Sequence, residues 1–189
     1  FNTVKKGIRQ KTKKKIERIT RITIKEQDWV KAIGNRLLIM SGRAGTGKTI
    51  KLLNIACNLA TEKGARCLIL TFNKALVGDI KRMIALAEIP DRPDDYSVGI
   101  NTLDSFFYEI LKGFNIGVIT EGEASYIDNF ILNRDSYLLE LFNYLEQGLL
   151  NDDDIQKLMK TNHDSIAWDY ILIDEGQDWS DLEKKIIFK

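Results

Sequence analysis

The residues whose types and spacing have the clearest chemical meaning form one glycine-rich segment, Gly42-Arg43-Ala44-Gly45-Thr46-Gly47-Lys48-Thr49. The segment fits G-x-x-x-x-G-K-[ST], follows an apolar run and opens an amphipathic helical pattern. Glycines let a backbone curl closely around phosphate groups, and a helix N-terminus supplies unpaired N–H donors. Lys48 would contact the β- and γ-phosphates, and the Thr49 hydroxyl would ligate Mg²⁺. The segment therefore predicts that all eight residues contact a nucleoside triphosphate, with ATP and Mg²⁺ as cofactors.

A second set of candidate residues follows an apolar run near the end of the chain: Asp174, Glu175 and Gln177. Because the carboxyl ends of parallel strands share one edge of a sheet, we expect Asp174 to meet the phosphate-binding segment and, with Thr49, to ligate Mg²⁺. Glu175 is suited to orient and deprotonate a water in line with the γ-phosphate, and Gln177 to bond to that water or to the phosphate. Lys48, Glu175 and Gln177 are therefore the predicted catalytic residues. The alternative is that Asp174 and Glu175 are ordinary surface acids at the end of a strand.

The elements that would position these residues alternate along the chain as short apolar runs and longer helical patterns, which is typical of a parallel α/β sheet. The predicted strands, each short enough to be buried on both faces, are 37–40, 66–72, 97–103 and 170–174. The predicted helices are Lys48 to about Glu62, Lys74 to about Ala87, and residues 121–162 with a break at Asn151–Asp154. The expected fold is α/β, a parallel sheet with helices on both faces and a small helical insertion.

The charged side chains are distributed unevenly along the chain. Residues 1–90 carry 20 Lys and Arg side chains against 6 Asp and Glu, and residues 91–189 carry 8 against 21. This asymmetry indicates either that a polyanion approaches the first half or that the two halves present differently solvated faces. Residues 1–25, with ten basic side chains and one acidic, are either a solvated linker or a contact with nucleic acid.

Several functional classes are not expected. The single histidine, His163, and the two cysteines, Cys57 and Cys67, have neither metal-ligand nor disulfide spacing. A His-based metal site and Ser-His-Asp chemistry are therefore not predicted. Because no apolar run approaches the ~18 residues that span a bilayer and no signal peptide is present, we expect a cytoplasmic protein without a membrane partner.

The acidic box and the phosphate-binding segment together resemble those of a known family. Asp174-Glu175-Gly176-Gln177-Asp178 resembles the D-E-x-Q-D box of superfamily 1 helicases. Residues 22–182 are similar to the first RecA-like domain of the UvrD/Rep type, which has a P-loop NTPase fold. Ile24-Lys25-Glu26-Gln27 resembles the Q motif of that family, in which Gln27 would read the adenine edge. A plain helix N-terminus is the alternative there.

The same resemblance implies contacts with nucleic acid. Leu70-Thr71-Phe72-Asn73-Lys74-Ala75 resembles T-F-x-N-K-A but lacks the residue between Phe and Asn. It implies that Phe72, Asn73 and Lys74 contact single-stranded DNA, with Phe72 as a platform for a base or, alternatively, as a core side chain. Asn101-Thr102-Leu103-Asp104-Ser105-Phe106 resembles T-F-H-S-F, with Leu and Asp in place of Phe and His. Because an acid beside a phosphate backbone is unfavourable, contacts are expected from Thr102 or Ser105.

The resemblance also implies a domain organisation and an activity. Residues 1–21 would be a basic linker or the end of an upstream domain, residues 22–189 the RecA-like ATP-binding domain, and 113–165 a small helical insertion in it. A second RecA-like domain of the parent chain, with its arginine finger, is expected outside these residues, so the chain alone should hydrolyse ATP poorly. The expected function is ATP-driven translocation on, and unwinding of, single-stranded DNA or RNA. A DNA-independent P-loop ATPase switch and a non-catalytic nucleic-acid clamp are the alternatives.

Overall fold

The computed structural model describes residues 45–86, 97–117, 126–161 and 166–189. In chain order the described elements are α1 (Lys48–Lys63), β1 (Arg66–Thr71), α2 (Lys74–Leu86), β2 (Ser97–Thr102), α3 (Leu103–Gly113), α4 (Tyr126–Glu146), α5 (Asp152–Thr161), β3 (Tyr170–Ile173), a 3₁₀ turn (Gly176–Asp178) and α6 (Asp181–Ile187). The described chain divides into two units. The first contains 45–86, 97–101 and 168–174, and the second contains 102–117, 126–161, 166–167 and 175–189.

The helix predicted to begin at Lys48 is confirmed as α1. Its predicted apolar stripe is buried throughout, at Leu52, Ile55, Ala56 and Leu59. The helix ends at Gly64, which adopts a left-handed conformation (φ 63°) and donates its backbone N–H to the carbonyl of Leu59. Glycine suits this position because a left-handed backbone costs it nothing.

The first unit contains a three-stranded parallel sheet in the order β2-β1-β3, and the α/β class is therefore confirmed. β1 pairs in parallel with β3, with Cys67 opposite Tyr170 and Leu70 opposite Ile173. All six residues of β1 are buried, as expected of a central strand in a parallel sheet. The predicted strand 37–40 lies outside the described residues.

The core of the first unit lies between this sheet and the helices α1 and α2. The apolar stripe of α1 and residues Ile80, Met83 and Ile84 of α2 form one buried cluster with alternate residues of the strands. The strand members are Cys67, Ile69, Val98, Ile100 and Leu172. α2 buries a single stripe, as an amphipathic helix does, whereas α1 is buried over almost all of residues 52–60.

The prediction that every strand is buried on both faces is wrong for β3. Leu172 is buried, whereas Ile171 is 40% exposed. β3 is an edge of the described sheet, and alternate residues of a strand point to opposite faces. Ile171 is therefore exposed at this edge of the described sheet, although Leu68, its partner in β1, is buried.

The second unit is helical. The predicted break at Asn151–Asp154 lies earlier in the structure, because α4 ends at Glu146 and Asp152–Asp154 already form the first turn of α5. Asn151 caps α5 by accepting hydrogen bonds from the backbone N–H groups of Asp153 and Asp154 at 2.9 and 3.1 Å. The helix α3 is not among the predicted helices, and its first residue, Leu103, ends a predicted strand. Within the described ranges, no helix is long and apolar enough to cross a membrane.

Candidate functional site

The part of the glycine-rich segment within the described residues has the backbone that its glycines allow. Gly45 and Gly47 both adopt left-handed conformations with φ of 76°. A Cβ at either position would meet no atom within 4 Å, so backbone conformation, not crowding, favours glycine there. Gly47 is the N-cap of α1 and accepts the backbone N–H of Lys51 at 3.0 Å. Gly45, Thr46 and Gly47 therefore lead directly into the start of α1, whereas Gln27 and residues 42–44 lie outside the described residues.

Lys48 and Thr49 occupy the first turn of α1. The N-cap residue, Gly47, has no side chain to cap this helix end, and no acidic residue lies in the first turn. The first N–H groups of a helix have no partner within the helix, and the dipole makes this end positive. The first turn of α1 therefore has the charge and donors that suit an anion.

Thr49 and Asp174, the two predicted Mg²⁺ ligands, are in direct contact. The Thr49 hydroxyl donates a hydrogen bond to Oδ2 of Asp174 at 2.8 Å, across 125 positions of sequence. Asp174 is held in place because its backbone N–H donates to the carbonyl of Leu70 at 2.9 Å, which continues the β1–β3 pairing beyond Ile173. The parallel sheet thus brings the carboxylate that follows β3 to the start of α1.

The Asp174 carboxylate is buried, with 5% of the residue exposed. Among the described residues, its side chain accepts one hydrogen bond, from Thr49, and forms no ion pair with a lysine or arginine. Burial of a charged group is costly unless the charge is compensated. The described ranges contain no cluster of three or more His, Cys, Asp or Glu side chains that could hold a metal. A cation at Asp174 would therefore have one carboxylate and one hydroxyl as described protein ligands, a donor set typical of Mg²⁺ bound with phosphates.

Glu175 and Gln177 belong to the second unit and follow Asp174 in the chain. Glu175 has a left-handed backbone with φ of 55°, which is uncommon for a residue with a Cβ. The carbonyl of Glu175 accepts the backbone N–H of Asp178 at 2.9 Å, closing the 3₁₀ turn. Both side chains are exposed, and the amide of Gln177 donates to Asp178 at 3.3 Å. Strained backbone of this kind recurs at functional sites.

The three residues predicted to contact nucleic acid after β1 differ in their surroundings. Phe72 is 38% exposed, at the carboxyl end of a buried strand. Asn73 caps α2, because its side-chain oxygen accepts the N–H groups of Ala75 and Leu76 at 3.0 and 3.2 Å. Lys74 is exposed in the first turn of α2. The structure therefore gives Asn73 a role in folding, and leaves an aromatic and a basic side chain exposed on either side of it.

Thr102 and Ser105 form the cap of α3. The Thr102 hydroxyl accepts the backbone N–H of Ser105 at 3.2 Å and donates to the Ser105 hydroxyl at 2.8 Å. This pairing is the reason that the strand ends before Leu103, since an N-cap threonine fixes the helix start. Both residues belong to the second unit. Sequence reasoning did not identify Arg134, which pairs with the intervening Asp104 at 2.8 Å.

Comparisons of the chain with models of protein families, with curated proteins and with solved structures give no match. The function proposed below is accordingly supported by this chain's own residues and their geometry, and by the resemblance of its motifs.

Proposed function

We propose that this chain is an ATP-binding and ATP-hydrolysing P-loop domain of the RecA-like type, and that it acts as the motor domain of a nucleic-acid helicase or translocase resembling the UvrD/Rep type. The observation that carries the proposal is the hydrogen bond of 2.8 Å between Thr49 and Asp174. Those residues come from two motifs that were recognised separately in the sequence. Both motifs predict a ligand for the same Mg²⁺ ion, and a shared ion requires the two side chains to be neighbours.

The first residues of α1 would bind the nucleotide. The left-handed glycines and the uncapped first turn of α1 present N–H donors and a positive dipole to the phosphates. Lys48 would add a positive charge at the β- and γ-phosphates, and Gln27 would read the adenine. Thr49 and Asp174 would hold Mg²⁺, which would neutralise negative charge on the phosphates.

Hydrolysis would depend on the residues that follow Asp174. Glu175 would orient a water and accept its proton, since a carboxylate can act as a general base within hydrogen-bond reach. Gln177 would bond to the same water or to the γ-phosphate and so respond to the presence of that phosphate. The left-handed backbone of Glu175 redirects the chain directly after the buried Asp174, and this supports distinct roles for the two adjacent carboxylates.

Single-stranded DNA is the proposed polymer, and RNA shares the same recognition chemistry of phosphates and base faces. Phe72 is a partly exposed ring suited to stacking on a base, and Lys74 is an exposed cation suited to a phosphate. The excess of basic residues in positions 1–90 supports attraction of a polyanion to that half of the chain. An arginine supplied by a second RecA-like domain would complete the catalytic site, as the family resemblance implies.

The test is steady-state ATPase of the full-length natural protein that contains these residues, with and without single-stranded DNA at fixed low salt, since such binding depends on salt. We expect a large stimulation by DNA that Glu175→Gln abolishes. The variant Asp79→Asn, at an exposed position of α2, is the control for loss of one carboxylate. Absence of stimulation by DNA and by RNA would contradict the helicase proposal and favour the DNA-independent P-loop ATPase switch. Absence of ATPase activity, with DNA binding that is indifferent to Lys48→Ala, would instead indicate a clamp.

A further inference from the structure

One arginine in the second unit joins three helices. Arg134 lies in α4, and its Nε donates to Oδ1 of Asp104 in α3 at 2.8 Å. Its Nη2 donates to Oε1 of Glu183 in α6, and its Nη1 lies 3.3 Å from Oδ1 of Asp135, the next residue in α4. The Arg134 side chain is largely buried, and Glu183 is almost completely buried.

Glu183 links Arg134 to the start of α6. The second carboxylate oxygen of Glu183 accepts the backbone N–H of Ser180 at 2.6 Å, and the Ser180 hydroxyl accepts the backbone N–H of Glu183 at 3.2 Å. These reciprocal bonds form a capping box, which fixes the direction in which the chain enters a helix. Ser180 is three residues after Gln177, and the intervening Trp179 is buried. Arg134 therefore holds the carboxylate that anchors the end of the segment 175–180.

Asp104 links Arg134 to the start of α3. Asp104 lies in the first turn of α3, between the capping residues Thr102 and Ser105. In the family that the chain resembles, the corresponding position is a histidine, and an acid there would repel a phosphate backbone. Pairing with Arg134 at 2.8 Å compensates that negative charge. The Arg134 guanidinium thus contacts the first turns of two helices, α3 and α6. The helix α3 begins in the segment predicted to contact nucleic acid, and α6 follows the segment that contains Glu175 and Gln177.

The bonding favours a stiff connection between those two helix starts. A guanidinium is a planar fork with donors in fixed directions, so a shift of one carboxylate must move the fork or break a bond. Breaking the bond to Glu183 would leave a buried charge uncompensated, which is strongly unfavourable. Movement of the Thr102–Ser105 turn would therefore be transmitted through Asp104 and Arg134 to the start of α6, where Glu183 and Ser180 form the capping box.

We propose that Arg134 is a positioning residue that couples nucleic-acid contact at the start of α3 to the placement of Glu175 and Gln177, so that the bound polymer sets the rate of ATP hydrolysis. This inference rests on the function proposed above, because it assigns the route by which nucleic acid stimulates that site. Arg134 acts through Asp104 and Glu183 and does not itself contact the nucleotide.

The sharpest test weakens the link to α3 by removing its charge and keeps the buried pair. In the full-length protein, Asp104→Asn removes the charge that Arg134 contacts on α3, at a side chain that is about half exposed, so the fold should persist. Asp135→Asn is the matched control: Asp135 contacts the same guanidinium and loses the same charge, but it lies on α4 itself and its side chain is 94% exposed.

The expected result is a change in stimulation, with binding retained. The ratio of the rate at saturating single-stranded DNA to the basal rate should fall roughly 2- to 30-fold in Asp104→Asn, the range for residues that carry coupling between sites. The KM for ATP and the melting temperature should stay near those of the unaltered protein, and the affinity for DNA should not fall, since the substitution removes a negative charge. Asp135→Asn should keep the full ratio.

A second variant addresses the arginine itself. Arg134→Lys keeps a charge beside Glu183 but loses the planar fork, so it should lower the same ratio without unfolding the protein. Retention of the full ratio in both Asp104→Asn and Arg134→Lys would overturn the inference and leave the proposed function standing. An equal loss in Asp135→Asn would also overturn it, since the effect would then be one of charge alone. Absence of stimulation in the unaltered protein would overturn the proposed function, and the coupling with it.

Discussion

At the scale of single residues, the buried Asp174 is the most informative side chain. A carboxylate with little exposure to water is compensated, among the described residues, by one hydroxyl group. Such a group destabilises the fold when no cation is bound and favours a divalent cation when one is available. The site thus offers a direct way to test Mg²⁺ binding that does not depend on hydrolysis.

We expect Asp174→Asn to lose the Mg²⁺-dependent part of nucleotide binding without loss of the fold. The amide can still accept the Thr49 hydroxyl but carries no charge, so the nucleotide-free protein should be at least as stable as the unaltered one. A ligand at 100 times its Kd stabilises a protein by about 2.7 kcal/mol, and most of that gain with Mg·ATP should disappear in the variant. Thermal unfolding with ATP, with and without Mg²⁺, measures this. If Mg²⁺ stabilised the ATP-bound variant as much as the unaltered protein, the assignment of Asp174 as an Mg²⁺ ligand would be contradicted.

The two buried thiols predict how stability depends on pH. Burial raises the pKa of Cys57 to about 12, and burial with the nearby Asp169 and Cys57 raises that of Cys67 to about 12. An unfolded thiol loses its proton near pH 8.5, whereas the folded one keeps it until about pH 12. Between these values the unfolded state binds fewer protons, so the free energy of unfolding falls as pH rises, by up to about 1.4 kcal/mol per pH unit for each thiol.

Urea unfolding at a series of pH values from about 8 to 11 would measure this slope. The control is the pair of substitutions Cys57→Ala and Cys67→Val, which removes both thiols and leaves the lysines and tyrosines that titrate in the same range. The decline in stability should be shallower in the double variant. Parallel curves for the two proteins would show that the thiols do not titrate differently on folding.

At the scale of elements, Gly99 of β2 packs closely against Trp168, which lies two residues before β3. A Cβ at Gly99 would come within 2.5 Å of the ring of Trp168, and the guanidinium of Arg66 lies 5.3 Å from the centroid of that ring. Asp169 fixes the position of this tryptophan, because its carboxylate accepts the backbone N–H of Arg66 at 2.8 Å. The indole therefore cannot move easily to accommodate a methyl group.

We expect Gly99→Ala to lower the free energy of unfolding by about 1–3 kcal/mol, the usual cost of overpacking. Gly78→Ala is the matched control, since Gly78 lies in α2, is exposed, and has no atom within 4 Å of an added Cβ. That control should raise stability by up to about 1 kcal/mol, because alanine favours a helix over glycine. Denaturant unfolding of the two variants compares the same substitution at a crowded position and at an open one. Equal changes in the free energy of unfolding would exclude the contact with Trp168 as the cause.

How much of these elements the sequence could predict depends on whether the determining contact is local. The starts and ends of α1 and the strand β1 were predictable, because glycine caps and an unbroken apolar run act within a few residues. The exposure of Ile171 was not, since it depends on which strand lies at the edge of the sheet. The contact of Thr49 with Asp174 was expected from parallel-sheet geometry, whereas the pairing of Asp104 with Arg134 follows from helix packing that no motif encodes.

At the scale of the whole molecule, charge separates along the chain. Basic residues are in excess in positions 1–90, and acidic residues are in excess in 91–189. A polyanion such as single-stranded DNA would be attracted to the first half. That attraction should weaken with salt because bound counterions are released from the polymer.

Phe72 and Lys74 allow the stacking and charge contributions to DNA binding to be separated. Lys74→Ala should make the dependence of log affinity on log salt shallower by about 0.7, the contribution of one phosphate contact on a single strand. Phe72→Ala should weaken binding by about 1–3 kcal/mol without changing that slope, because stacking involves no counterions. Titrations at several salt concentrations measure both quantities. An unchanged affinity in both variants would place the DNA contact elsewhere.

Glu175 shows where this chain departs from the most stable sequence for its own backbone. The left-handed conformation at φ 55° would be relaxed by glycine, and side chains other than asparagine and aspartate rarely occupy it. Selection for thermostability alone would therefore remove the glutamate. A library screened only for resistance to heat should accumulate glycine, asparagine or aspartate at position 175, whereas one screened for ATP-driven activity should keep the glutamate. The balance between those two outcomes would measure how much stability this protein gives up for its chemistry.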